Sequence, residues 1–261
     1  MNVRLQLFEL EDQPWFPHII RQGMLDFLRF MISKLRAYDA ALPLLQELLE
    51  QTGQHHITDL CSGAGGGIEV IREDLSRRMQ APVQVTLTDL YPNLDAWQYL
   101  QKHSGGQIRY LAEPVNATAV PENITGVRTI FSSFHHFSPK QAQAILQDAA
   151  NKRAAIGVFE GAGKSWLEML ALWLFFPWVI LLVTPFIRPF RLSRLFFTYL
   201  VPVIPLGILW DGTVSLLRIY TPEMLQQMAA KVHAPAYTWR TGKVSSRLGK
   251  NVIYLIGYPE S

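Results

Sequence analysis

The chain has 261 residues, of which 49% are hydrophobic, and a formal net charge of +3 at pH 7. This length suffices for one large α/β domain with an elaboration. The single cysteine rules out an internal disulfide and fits a reducing, cytoplasmic compartment. The first fifteen residues contain no apolar run of signal-peptide length. Lysines and arginines are not clustered among polar residues, so no nucleic-acid partner is predicted.

Residues 1–54 are predicted to form an N-terminal helical cap. Apolar residues recur at helical spacing from Phe27 to Leu35, and again from Leu42 to Leu49. The cap has two possible roles: it packs on the edge of the core, or it closes as a lid over a cofactor or substrate.

Residues 55–160 alternate between predicted strands and helices and form the predicted cofactor-binding core. Strands are predicted at 57–60, 83–88, 108–111, 127–132 and 155–159, with helices at 68–79, 94–103 and 139–151. This rhythm predicts a parallel sheet with helices on both faces. Ligands of such sheets bind outside the carboxyl ends of the strands.

A glycine-rich turn follows the first strand, in the sequence HITDLCSGAGGG at residues 56–67. The glycines let the main chain approach a ligand closely, and the next helix offers free N–H groups at its start. A dinucleotide fingerprint would require glycine at Ile68, and a phosphate-binding loop would require a lysine in the turn. Residues 160–165, EGAGKS, also look like a phosphate loop, but Val158 occupies the position of its first glycine.

The second strand ends on Asp89, 30 residues after Asp59. An acid at this place can accept hydrogen bonds from both ribose hydroxyls of a nucleoside. Asp89 could also begin the following helix, and the two roles are compatible.

The turn resembles the first motif of the class I S-adenosylmethionine-dependent methyltransferases, D-x-G-x-G-x-G. Asp59, Gly63 and Gly65 match it, and Cys61 stands where the family usually has its first glycine. The resemblance covers roughly residues 55–160 and 210–258. It implies S-adenosylmethionine as cofactor and a doubly wound, mostly parallel α/β sheet of seven strands. The cofactor-binding residues that it implies are Asp59, Cys61, Gly63, Ala64, Gly65, Asp89, Leu90, Asn116, Ala117 and Ser133.

Within that resemblance, Asp89 would face the ribose and Asn116 the adenine, while Ser133, His135 and His136 would border the methyl group. The two histidines are the candidate catalytic residues, since an imidazole can act as a general base near neutral pH. A structural role is the alternative. Adjacent histidines usually point in different directions, and no cysteine or carboxylate lies near them at ligand spacing, so no metal site is predicted.

Residues 161–210 form a predicted apolar helical insertion. Residues 166–187 carry one charge and residues 195–210 none, with Arg188, Arg191 and Arg194 between them. Prolines interrupt both runs. The pattern predicts a monotopic broken hairpin that dips into one leaflet, with the arginines at anionic headgroups. The alternatives are a soluble cover over a hydrophobic substrate and a dimer interface.

Residues 211–261 are predicted to return to the core. Asp211 and Gly212 look like a turn, a helix follows at 224–232, and strands at 237–244 and 252–258 form a closing hairpin. A hairpin after the last helix is how the methyltransferases complete their sheet, with one antiparallel strand.

The sequence therefore predicts methyl transfer from S-adenosylmethionine to a small lipophilic acceptor, such as a lipid, quinone or isoprenoid-like molecule, at a membrane surface. Two alternatives remain open: a nicotinamide-dependent oxidoreductase on the same fold, and a non-catalytic membrane-associated module. The oligomeric state and the acceptor atom are not specified by the sequence.

Overall fold

The computed structural model describes residues 4–161, 165–245 and 251–260. Residues 162–164, half of the loop that looks like a phosphate loop, lie outside this description. A seven-stranded sheet with the order β3-β2-β1-β4-β5-β7-β6 forms the centre of the molecule. Its strands are β1 His56–Asp59, β2 Gln84–Leu87, β3 Ile108–Tyr110, β4 Val127–Phe131, β5 Ile156–Glu160, β6 Tyr237–Ser245 and β7 Asn251–Pro259.

Strands β1 to β5 are parallel to their neighbours, and β7 is antiparallel to both β5 and β6. The predicted doubly wound sheet with a closing hairpin is confirmed. The order of the strands reverses between β1 and β4. From β1 the sheet extends in one direction through β2 and β3, and in the other direction through β4 and β5. A ligand of an open parallel sheet binds at such a point.

The helices cover both faces of the sheet. They are α1 His18–Leu35, α2 Leu42–Thr52, α3 Ile68–Met79, α4 Leu94–His103, α5 Pro139–Asn151, α6 Trp166–Val183, α7 Leu192–Leu195, α8 Val203–Arg218 and α9 Pro222–Ala229. The predicted bounds of α3, α4 and α5 are confirmed. Helix α5 begins at its predicted place because Ser138 and Gln141 form a reciprocal capping box around Pro139.

Two buried apolar layers hold the sheet between the helices. One layer joins α2, α3 and α4 to one face, with Leu45, Leu48 and Trp97 fully buried. The other joins α5, α8 and α9 to the opposite face, with Leu146 and Leu225 fully buried. This is the helix–sheet–helix arrangement that the alternating sequence predicts.

The predicted turn at Asp211 and Gly212 is wrong, because both residues lie inside α8. A Cβ atom at Gly212 would lie 3.1 Å from Leu172 of α6, so the glycine allows close packing of two helices. The Asp211 carboxylate accepts hydrogen bonds from the backbone N–H groups of Leu10 and Glu11. Helix α8 therefore runs across the predicted boundary between residues 210 and 211.

The insertion is more continuous than predicted. Helix α6 passes through Pro177 without a break, and Trp166–Phe186 is long and apolar enough to cross a membrane by length and composition. The chain then forms α7 and a π-helical stretch, Phe196–Leu200, before it turns by 81° into α8.

The prediction that three arginines face headgroups is wrong for Arg194, and Arg191 is also engaged within the protein. Arg194 is 2% exposed, and its Nη1 lies 2.6 Å from Oδ2 of Asp26 on α1. Arg191 Nε donates to the same oxygen at 3.2 Å, whereas Arg188 is exposed. A buried carboxylate is stable only when it is paired with a positive charge, and Arg194 and Arg191 of the insertion supply this charge to Asp26.

Candidate functional site

The turn between β1 and α3 adopts left-handed backbone angles at four positions. Cys61, Gly63, Gly65 and Gly67 have φ values of 57°, 51°, 75° and 81°. A Cβ atom at Gly65 would lie 2.4 Å from Leu100 Cδ1, so a side chain there would force Leu100 to shift and would strain a backbone with positive φ. At Gly63 the nearest atom would be 3.8 Å away. A Cβ atom at Gly63 would therefore touch Leu25 Cδ2 at ordinary van der Waals distance, without the overlap found at Gly65.

Asp89 is fastened to this turn. Its Oδ2 accepts the Gly63 N–H at 2.9 Å, and its Oδ1 accepts the Tyr91 N–H at 2.9 Å. Trp97 donates its indole N–H to the Gly63 carbonyl, also at 2.9 Å. The Leu90 N–H also interacts with this carboxylate. A carboxylate offers about four acceptor sites, so Asp89 keeps acceptor capacity for a ligand. Leu90 is exposed beside it.

Asp59 lies beneath the turn and is buried. Thr129 Oγ1 donates to its Oδ1 at 2.7 Å, and the Ser62 hydroxyl donates to its carbonyl oxygen at 2.9 Å. Burial raises the pKa of Asp59 to about 7. The side chain joins the end of β1 to β4 and thereby sets the position of the turn.

The loop after β3 lies against Asp89, because the Val115 N–H donates to the Asp89 carbonyl at 2.8 Å. Asn116 is exposed, and its Oδ1 accepts the Thr118 N–H at 2.9 Å in a local turn. Ala117, the next residue, is buried. The structure therefore brings this predicted loop beside the predicted ribose acid.

Ser133 joins the end of β4 to the glycine turn, since its hydroxyl donates to the Cys61 carbonyl at 3.2 Å. Ala64 is buried within the same turn. Sequence reasoning missed Tyr38, whose hydroxyl donates to Ser132 Oγ at 2.7 Å at this strand end. Its position just before α2 gives no local signal of a site role.

His135 and His136 lie in a short 3-10 turn directly after β4, with ring centroids 4.4 Å apart. The His135 backbone N–H donates to Glu160 Oε1 at 3.0 Å, and its Nδ1 lies 2.8 Å from Glu160 Oε2. His136 Nδ1 lies 2.8 Å from Asp12 Oδ1. Each imidazole therefore has one ring nitrogen held by a carboxylate.

The interpretation that no carboxylates surround the histidines is wrong. Glu9, Glu11 and Asp12 reach them from the N-terminal segment, and Glu9 is fully buried. Asp211 holds that segment in place through two backbone N–H groups. Glu9, Glu11 and Asp12 lie more than a hundred residues before the histidines in the sequence. Residue spacing along the chain therefore gives no sign that they approach the histidines.

The carboxylates change the protonation of this corner of the site. Burial alone would lower the pKa of His136, but Glu9, Asp12 and Glu11 outweigh it and raise the pKa to about 10. Burial raises the pKa of Glu11 to about 8. These carboxylates therefore favour a positive charge at His136. A general-base role for either histidine stays a prediction.

No protein-family model matches this sequence, and no curated protein matches it. Among solved structures, the methyltransferase domain of bacterial-CtHen1-CN is similar, with 14% identity, 85% of this chain and 99% of that chain covered, and a TM-score of 0.50. A protein from Nostoc punctiforme PCC 73102, assigned as an O-methyltransferase, has 11% identity, 98% and 64% coverage, and a TM-score of 0.54. The fold is therefore that of the class I methyltransferases, as predicted.

Proposed function

We propose that this protein transfers a methyl group from S-adenosylmethionine to a small lipophilic acceptor at a membrane surface. The observation that carries the proposal is the clamp between Gly63 and Asp89. It places a glycine turn and a carboxylate with remaining acceptor capacity where the strand order reverses. Ligands of this fold bind at that point.

The residues around the turn fit such a cofactor. The main chain at Gly63, which carries no side chain, would lie against the methionine part, and the Asp89 carboxylate would accept the ribose hydroxyls. The loop at Asn116 and Ala117, held beside Asp89, would border the adenine. S-adenosylmethionine, when bound, supplies an electrophilic methyl group on a sulfonium.

Beyond binding the cofactor, the protein would hold the methyl acceptor in line with the methyl group. Ser133, His135 and His136 lie at the end of β4 and would border the acceptor. The N-terminal segment closes this corner, since Arg4 donates to the His135 carbonyl at 2.9 Å and Arg218 Nη1 contacts Asp12 at 2.9 Å. A closed site aligns donor and acceptor and keeps water away from the transfer.

We expect His135→Ala to lower the rate of methyl transfer about 100-fold, because a general base that removes the proton of the acceptor contributes at least about that factor. The measurement is the passage of labelled methyl from S-adenosylmethionine into organic-extractable product from added membrane lipids. His103→Ala is the matched control, since His103 is an exposed histidine at the end of α4. Full activity in His135→Ala would show that the histidine has only a structural role.

The membrane part of the proposal is supported by α6. Trp173 is 52% exposed, Phe175 64%, Trp178 67% and Leu182 71%. Together with other exposed apolar residues of α6 and of the segment that follows it, they form what we call the apolar face: Trp166, Leu167, Leu170, Trp173, Leu174, Phe175, Trp178, Leu182, Phe186, Phe190, Leu192 and Leu200. Exposed apolar surfaces of this extent normally mark an interface. The tryptophans and the exposed Arg188 suit the headgroup region of a bilayer.

We expect the protein to co-sediment with phospholipid vesicles, and Trp178→Glu combined with Leu182→Glu to abolish this. Leu35→Glu, a charge placed on an exposed apolar residue outside the apolar face, should leave binding unchanged. Arg188→Gln should weaken binding to anionic vesicles only about fivefold, since one arginine contributes about 1 kcal/mol.

No part of the loop at Arg188 should become accessible to protease on the far side of the vesicles, because the monotopic geometry crosses nothing. Cleavage there would contradict that geometry. A wild-type protein that stays monodisperse without detergent and ignores vesicles would favour a soluble cover instead.

A further inference from the structure

Glu9, His135 and His136 form a buried cluster at the end of β4, in which the three side chains direct donor atoms at one another. One donor atom from each lies within 4.8 Å of the other two. Glu9 comes from the N-terminal segment, and the histidines follow β4. We propose that this cluster binds a divalent transition-metal ion through Glu9, His135 and His136.

The distances within the cluster suit an ion better than direct hydrogen bonds. His135 Nε2 lies 3.7 Å from Glu9 Oε1, and His136 Nε2 lies 3.5 Å from Glu9 Oε2. Both separations exceed those of a normal N–H···O hydrogen bond. Two donors that each lie about 2.1 Å from a tetrahedral metal are about 3.4 Å apart. Each imidazole therefore lies at a metal-ligand spacing from one oxygen of Glu9, and one donor atom from each of the three side chains lies within 4.8 Å of the others.

Donor atoms are left without partners at this centre. Within the described part of the chain, His135 Nε2 and Glu9 Oε2 are buried and have no hydrogen-bond partner. Glu9 Oε1 lies 3.1 Å from Arg218 Nη1, so Oε2 is the oxygen left for an ion. Buried polar atoms of this kind are costly unless they are paired or bind a metal.

The other ring nitrogens are held as in known metal sites. His135 Nδ1 lies 2.8 Å from Glu160 Oε2, and His136 Nδ1 lies 2.8 Å from Asp12 Oδ1. A carboxylate at Nδ1 fixes the ring so that the Nε2 lone pair faces the metal, and it makes the imidazole a stronger ligand.

The charges around the cluster favour a cation. Its neighbours include the two guanidinium groups of Arg4 and Arg218, which are outnumbered by carboxyl groups. The carboxyl groups are Glu9, Glu11, Asp12, Glu160 and Asp211. Glu11 Oε1 lies 3.7 Å from His136 Nε2 and could act as a fourth ligand. A dication would reduce the repulsion among these groups.

The donor set narrows the choice of ion. Two imidazoles and one carboxylate are typical of Zn²⁺ and of non-haem Fe²⁺, whereas Mg²⁺ and Ca²⁺ prefer oxygen ligands alone. An ion at this place would tie the N-terminal segment to the strand end that carries the histidines.

The test is a titration of the chelator-treated, full-length protein with Co²⁺, a probe whose visible absorption reports nitrogen and oxygen ligands. One Co²⁺ per chain is expected, and Zn²⁺ should displace it. Glu9→Gln should weaken Co²⁺ binding at least about 100-fold, and Asp12→Asn, which weakens the support of His136 and the contact with Arg218, about 10- to 100-fold. His103→Ala, an exposed histidine elsewhere, should bind as the wild type does.

Because Glu9 is buried, a second measurement uses the unaltered protein. Co²⁺ should slow amide hydrogen exchange in residues 4–12, since the ion would bind that segment to the core. Absence of Co²⁺ binding by the wild type, or binding that a folded Glu9→Gln variant retains in full, would overturn the proposal. S-adenosylhomocysteine is titrated into the same samples, so failure of the metal site is distinguished from failure of the proposed methyl transfer.

Discussion

Replacement of Arg194 by Met is expected to lower the free energy of unfolding by about 3–5 kcal/mol, because it leaves the buried Asp26 carboxylate without its main partner. Arg194 Nη1 contacts Asp26 at 2.6 Å, and its Nη2 donates to the carbonyls of Ile187 and Pro189 at 2.7 and 2.9 Å. Both side chains of the pair are almost fully buried. The guanidinium thus fastens the insertion to α1.

Denaturant unfolding measures this effect, and two further variants test its cause. Arg188→Met removes an exposed arginine from the same loop and should change stability by less than about 0.5 kcal/mol. Arg194→Met combined with Asp26→Leu removes both charges and should recover a large part of the loss. Equal stability of the Arg194→Met variant and the wild type would contradict the buried pair.

Replacement of Asp89 by Ala is expected to weaken binding of S-adenosylhomocysteine at least about tenfold. The change removes a charged acceptor from two ribose hydroxyls, and hydrogen bonds to charged groups contribute about 1.5–3 kcal/mol. It also releases the Gly63 N–H, which Asp89 holds at 2.9 Å, so the glycine turn loses a support. Both effects act in the same direction on affinity.

Isothermal calorimetry of folded variants gives the measurement. Asp95→Ala is the control, because Asp95 is also an acid near the start of α4 but its side chain is 68% exposed. Asp89→Asn keeps an acceptor oxygen and should lie between Asp89→Ala and the wild type. Unchanged affinity in Asp89→Ala would remove Asp89 from the cofactor site.

Features decided by nearby residues could be predicted from the sequence. The bounds of α3, α4 and α5 follow from apolar spacing and from capping residues such as Ser138. The glycine turn and Asp89 lie at strand ends, and parallel strands bring their carboxyl ends to one edge of the sheet. The sheet with its closing hairpin could be predicted because strands and helices alternate along the sequence and two strands follow the last helix.

Features decided by distant residues could not be predicted in this way. Gly212 resembles a turn residue in sequence, yet it packs against Leu172 within α8. Arg194 lies 168 residues from Asp26, and Glu9 lies 126 residues from His135. Arginines beside an apolar run are typical of lipid headgroup contacts, and only the structure shows that Arg194 has a buried partner. Two adjacent histidines alone predict no metal site, and only the structure shows the carboxylates of the N-terminal segment beside them.

A calorimetric titration of the wild-type protein with S-adenosylhomocysteine and with NAD tests the central proposal most directly. A methyltransferase should bind one S-adenosylhomocysteine per chain and should not bind NAD, since Ile68 stands where a dinucleotide turn requires glycine. Binding of NAD without S-adenosylhomocysteine would contradict the proposal in favour of an oxidoreductase. Binding of neither compound would contradict it in favour of a non-catalytic module.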